Sequence, residues 1–154
     1  MRRLTLALVL LMATVLAGCA GGPPKRVFPP QASVQELQVQ ADGNWVVKIR
    51  IRSFSTVPMR FSRLQGTLSV GGHEAGRFDF NPALTVGPGS AEIIEHRMAP
   101  SPAARDAVVA ALAGRQGLRY QLAGRLATSD PGTDDAFDYP SRLDPVPGLE
   151  GVLR

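Results

Sequence analysis

Cysteine is almost absent from this chain: Cys19 is the only one in 154 residues. No internal disulfide can form, so a folded core must hold the structure without covalent help. Histidine is nearly as scarce, with His73 and His96 alone. That leaves little material for a Cys/His metal cluster or a nucleophile and base pair. The G-x-S-x-G elbow and the phosphate-binding glycine loop are missing as well. Excess charge is small: 17 lysines and arginines stand against 13 acidic residues, for a net +4. This charge is also scattered along the chain, which argues against nucleic acid as a partner. The longest apolar run, Leu4 to Leu16, is too short to cross a bilayer comfortably.

That run has a specific setting. Arg2 and Arg3 precede it, and Leu16-Ala17-Gly18-Cys19 closes it. Charge, apolar length and small residues form the layout of an export signal. The last four residues resemble the lipobox of bacterial lipoproteins. The resemblance implies cleavage before Cys19, lipid on its sulfur and several acyl chains on the mature protein. The plain alternative is an ordinary signal peptide with a chance cysteine. On the lipobox reading, residues 1–18 are the signal and residues 19–30 are the lipidated cysteine with a flexible Gly/Pro tether. Residues 31–154 then form one domain. Loss of Arg2 and Arg3 takes the net charge to about +2. The mature chain of about 136 residues suits a single core. Ala20 follows the cysteine where an aspartate would retain a lipoprotein at the inner membrane. The lipoprotein rule thus implies the periplasmic face of the outer membrane, given a Gram-negative source. Fully extended, Ala20 to Pro30 would reach roughly 30 Å.

From Ser33 the hydrophobic period is two. Val34, Leu37 and Val39 mark a first strand, and Asp42-Gly43 a turn. Trp45, Val47, Ile49 and Ile51 then alternate with Val46, Lys48, Arg50 and Arg52, which predicts a strand with one buried face. A third strand starts at Met59 and Phe61 and changes phase before Leu64, Gly66, Leu68 and Val70; a bulge near Ser62-Arg63 reconciles the halves. Further strands are expected at Ala75–Phe80, Ala91–Met98 and Leu118–Leu126. A short seventh around Phe137 and Tyr139 is ended by Pro140. Ser129 to Asp135 reads as a polar turn, and the Pro- and Gly-rich C-terminus as mostly irregular. One helix is expected after Ser101, with Pro102 at its first position and Gly114 just past its end. The fold class is all-β: a seven-stranded antiparallel sandwich with one short α-helix.

The order of these features resembles the late-embryogenesis-abundant type 2 family, the water-stress and hypersensitive-response (WHy) domain. The residues that carry the resemblance are Phe54-Ser55-Thr56-Val57-Pro58, Leu64-x-Gly66-x-Leu68-x-Val70, Gly71 to Gly76, Leu118-x-Tyr120-x-Leu122-x-Gly124-x-Leu126 and Pro147-Gly148-Leu149. Arg52-Ser53 stand where the family often has Asn-Pro. The resemblance implies a fibronectin-III-like or immunoglobulin-like sandwich, a link to desiccation and stress tolerance, and no catalytic residues to carry over.

Candidate chemistry is sparse. Glu92, Glu95 and His96 offer metal-binding atoms on one strand, but a polar surface strand explains them more simply, and His73 sits at a turn. Asp130, Asp134, Asp135 and Asp138 supply oxygens without the spacing or closing glutamate of a calcium loop; a solvated turn suffices. Lys48, Arg50 and Arg52 share a strand face. They read as a polar face that discourages edge pairing, or as a surface that meets anionic lipid. Trp45, Tyr120, Phe78 and Phe80 read as core. The chain is expected to be a non-enzymatic envelope protein with no metal and no cofactor beyond the lipid on Cys19. Its expected partners are the membrane, through that lipid, and stress-unfolded proteins or anionic lipid, through its surface. The alternative is a carrier of an apolar ligand held between the sheets, or an accessory subunit of an envelope complex.

Overall fold

The computed structural model describes Gly22 and residues 24–154. The expected signal peptide and Cys19 lie outside the described residues. The alternation that begins near Ser33 builds β1 (Gln31–Val39) and β2 (Trp45–Arg52), joined by the Asp42-Gly43 turn, where Gly43 takes φ +80°. β3 (Met59–Val70), β4 (His73–Phe80), β5 (Leu84–Val86) and β6 (Ala91–Met98) follow. Then come helix α1 (Pro102–Gly114), β7 (Leu118–Asp130), β8 (Gly132–Leu143) and β9 (Val152–Leu153). One sheet has the order β6-β2-β1-β9. The other has the order β4-β3-β7-β8, with β5 also paired to β3. All these pairings are antiparallel. The sheets face one another across Trp45, Ile49, Ile51, Phe61, Leu64, Leu122 and Leu126, each 1% exposed or less. The all-β sandwich with one helix is the observed fold among the described residues.

Several details differ from the sequence reading. The described residues hold nine strands rather than seven, because β5 and β9 are too short to show a period. The seventh strand is long, not short. It runs past Pro140, which pairs with Gln121. Proline is tolerated there because β8 is an edge strand and donates to one neighbour only. The polar segment Ser129–Asp135 is mostly strand as well, with a cis Asp130–Pro131 peptide at the hairpin tip. The C-terminus is not wholly irregular: Val152 and Leu153 are buried against β1. Ser101 caps α1 by accepting from Ala104 N–H at 3.4 Å, but Arg115 rather than a glycine takes the left-handed position, at φ +50°. The helix packs on β4, β3 and β7 through Ala104, Val108 and Ala111.

The bulge expected in β3 is present: its register against β7 shifts between Arg60, Phe61 and Arg63. β1 has a bulge too, between Val34 and Glu36. β9 pairs with Leu37 and Gln38 and does not reach Val34. The hydroxyl of Tyr120, from the opposite sheet, fills the gap. It accepts from Val34 N–H and donates to Val34 C=O, both at 3.2 Å. Burial also raises the pKa of Tyr120. Tyr120→Phe keeps the ring and strands both backbone groups. It is expected to cost about 1–3 kcal/mol, read as a lower urea midpoint at unchanged slope. A midpoint equal to wild type would mean that water serves Val34 as well as the hydroxyl does.

Candidate functional site

Alternation along β2 puts Lys48, Arg50 and Arg52 on the outer face of the first sheet, as expected, but the three are not equivalent. The β1 bulge turns Glu36 outward beneath Lys48. Glu36 remains only 5% exposed, because Lys48 and Arg154 close over it. Lys48 Nζ lies 2.9 Å from Glu36 Oε1 and 3.9 Å from Glu95, and Arg154 Nε donates to Glu36 Oε2 at 2.6 Å. The hydrogen bond from Lys48 chiefly holds the Glu36 carboxyl below its usual pKa, against the opposing effect of burial. Lys48 is thus ion-paired, and it fastens β2 to β1. Arg97 is likewise tied to Asp42, and Arg63 to Asp79. Arg50 and Arg52 make no ion pair among the described residues. Arg50 stands between Ser33 and Ile93 in register, and Arg52 lies 5.0 Å over the ring of Phe54.

Phe54 leads to a feature that sequence reasoning missed. In the loop after β2, Ser53 and Ser55 are buried and Phe54 between them is turned out, 43% exposed. The expected free tether lies against this loop from Pro24 onward. Arg26 N–H donates to Thr56 Oγ1 at 2.8 Å, and Thr56 N–H donates to Arg26 C=O at 2.9 Å. Thr56 Oγ1 also donates to Pro24 C=O at 3.0 Å. Phe28 N–H donates to Ser55 Oγ at 2.9 Å. Residues 24–28 are thus bonded to the domain. The docked segment leaves Val27 and Phe28 about as exposed as Phe54. Exposed apolar side chains and Arg52, which has no ion pair among the described residues, therefore meet at the end of the sandwich where Pro24 to Phe28 are docked.

The other candidates separate. His73 is exposed at the start of β4. His96 is not a surface residue as expected. It is half-buried at the open edge between the sheets, stacked on Phe80 at 4.7 Å and 5.6 Å from Phe78, and burial lowers its pKa. Its neighbours Glu95 and Arg97 point to the other face. Asp134 pairs with Arg125 at 3.0 Å and Asp138 accepts from Gln121 at 2.8 Å, so these carboxylates serve the β7–β8 hairpin. Among the described residues no group of three His, Cys, Asp or Glu side chains is placed to hold a metal ion. No helix among them is long and apolar enough to cross a membrane. Open recesses on the surface of the described residues include two of note. One of about 520 Å³ lies over Gly66 and Gly124, and one of about 690 Å³ between the end of α1 and the Pro145–Gly151 loop.

No protein family and no curated protein matches the sequence. Solved structures do. The solution structure of AT1g01470 from Arabidopsis thaliana has a TM-score of 0.50 at 11% identity, over 84% of this chain and 85% of that one. What they share is the fold. A crystal structure of a protein from Archaeoglobus fulgidus gives 0.41 at 17% identity over 79% of this chain and 98% of that one. The solution structure of At2g46140.1, a protein described as a putative late embryogenesis abundant (LEA) protein, gives 0.46 at 14% identity over 87% and 75%.

Proposed function

We propose that this chain is a lipid-anchored envelope protein of the WHy type, non-enzymatic, which protects envelope proteins or membrane under desiccation or related stress by surface contact. The observation that carries the reading is the register of the second sheet. The motif glycines on which the resemblance rests, Gly66 and Gly124, stand directly opposite each other on β3 and β7, flanked by Phe78 and Phe137. Motifs far apart in sequence thus form one row across the sheet, as a shared architecture requires. The sandwich likeness to AT1g01470 supports the same fold. Lipobox and Ala20 support an anchor at the periplasmic face of the outer membrane.

A folded sandwich of this kind acts through its surface. The space between the sheets is filled by Trp45, Phe61, Leu64 and Leu122, and neither open recess lies there. That favours surface contact over carriage of an apolar ligand. Of the three cations on the β2 face, Arg50 and Arg52 are left for anionic clients. The test is aggregation of a client enzyme after drying, with wild type against Arg50→Glu/Arg52→Glu. The variant is expected to lose most of the protection. Salt beyond roughly 0.15 M, where the Debye length is about 8 Å, should weaken wild type in the same direction. Equal protection by the variant would reject this surface. Protection by wild type no better than an equal mass of inert protein would reject the function.

A further inference from the structure

The docked tether changes the geometry of anchoring. Because Pro24 and Arg26 are already bonded to Thr56, only the chain from Cys19 to Pro24 is left to bridge domain and membrane. Five residues reach at most roughly 17 Å when fully extended. The end of the sandwich that holds Pro24 therefore stays close to the lipid surface, whatever its orientation.

That same end exposes Val27, Phe28 and Phe54, each 43–44% accessible. Exposed aromatic rings are costly in water and suited to the boundary between headgroups and acyl chains. Lys25 and Arg26 precede the first two, and Arg52 lies against the third. Arg50 and the exposed Ile93 continue the surface up the outer face of the first sheet, paired in register. The second sheet differs at this end. There the exposed Asp130 at the hairpin tip stands opposite the exposed Arg60 of β3 in register, so this end of the second sheet has no excess of basic charge.

We propose that Val27, Phe28 and Phe54, ringed by Arg26 and Arg52, seat in the headgroup layer of the bilayer that carries the Cys19 lipid. The proposal rests on the lipid-anchor reading. The first sheet then leans on the membrane. The occupant is a phospholipid surface rather than a protein because of distance: an acyl anchor on Cys19 holds this end within a few headgroup diameters of the bilayer at all times. The charges agree, with basic side chains beside the rings. Basic residues near an anionic leaflet are drawn to it, and the rings add an apolar contribution.

The experiment uses the lipidated protein in vesicles of phosphatidylethanolamine and phosphatidylglycerol. With Cys19 acylated, Phe54→Cys supplies the one free thiol for a nitroxide. Ala113→Cys, exposed at the far end of the molecule on α1, is the control. Accessibility to oxygen, which concentrates in the bilayer, is compared with accessibility to a water-soluble nickel chelate. The oxygen-to-nickel ratio at 54 is expected to exceed that at 113 by about threefold or more. Adding Phe28→Ser, a change at an exposed site that leaves the core intact, should lower the ratio at 54. Equal ratios at both positions, in protein that sediments with vesicles and has its acyl mass, would overturn the docking and leave the anchor standing. Protein without acyl mass that fails to sediment would overturn both.

Discussion

Gly124→Ala is expected to be among the most damaging single-methyl changes in the domain. A Cβ at 124 would run into the carbonyl oxygen of Gln65 and come within 2.6 Å of Gly66 Cα. Both obstacles are backbone of β3, in the middle of the sheet, with β4 hydrogen-bonded on its other side. No rotamer can move them; β3 or β7 must shift and give up ladder bonds. Overpacking a core costs about 1–3 kcal/mol, and a clash with backbone belongs at the top of that range or beyond. For a chain of this size the melting temperature should fall by roughly 10 °C. Gly132→Ala is the control, since a Cβ there meets nothing within 4 Å. It should change the melting temperature by no more than about 2 °C. A Gly124→Ala protein as stable as the Gly132→Ala protein would mean that the strands are further apart than the structure has them.

These glycines also show what was legible in the sequence and what was not. Gly66 and Gly124 stood out as gaps in runs of alternating leucines, so their positions were readable. That each lacks a side chain because the other strand comes so close required the register. The strand faces were readable for the same reason: Trp45, Val47, Ile49 and Ile51 alternate without interruption, and all four are buried. The β3 bulge was visible as a change of parity. An equal change lies in β1, where Val34 is followed by Leu37 and Val39, and it marks the bulge that turns Glu36 outward. Glu36 then pairs with Lys48, so the parity change in β1 accounts for the ion pair on the cationic face.

Other features left no periodic trace. β5 and β9 span three and two residues. The dock of Pro24–Phe28 on the Ser53–Pro58 loop depends on hydroxyls of Ser55 and Thr56 that meet backbone groups far away in sequence. Serine and threonine in a loop carry no mark that they are buried or engaged. Proline and glycine on either side of Lys25-Arg26 suggest freedom, and only the folded partner removes it. Phe28 therefore falls in the expected tether and Phe54 in a motif distant in sequence, although the Phe28–Ser55 hydrogen bond makes them neighbours.

Cys19→Ser is expected to have an all-or-none effect on location. Acylation needs the sulfur nucleophile, and a serine hydroxyl at ordinary pKa does not replace it. Without acyl chains the domain retains only surface attraction. Each buried methylene of an acyl chain contributes about 0.8 kcal/mol, yet one myristoyl chain gives only reversible binding. Two or three half-exposed apolar side chains bury less area than such a chain. With Phe28, Phe54, Arg26 and Arg52 alone, the variant should wash from membranes at moderate salt, while wild type stays through the wash. Intact mass decides the chemistry. Wild type should begin at Cys19 with acyl mass added. The variant should appear either as precursor that keeps Arg2 and Arg3 or as a soluble chain without lipid. A wild-type protein with a free Cys19 thiol would mean an ordinary signal peptide, and acyl mass on the Cys19→Ser variant would place the lipid elsewhere. In either case the short leash from Cys19 to Pro24 would be lost, along with its power to hold the phenylalanines at the bilayer.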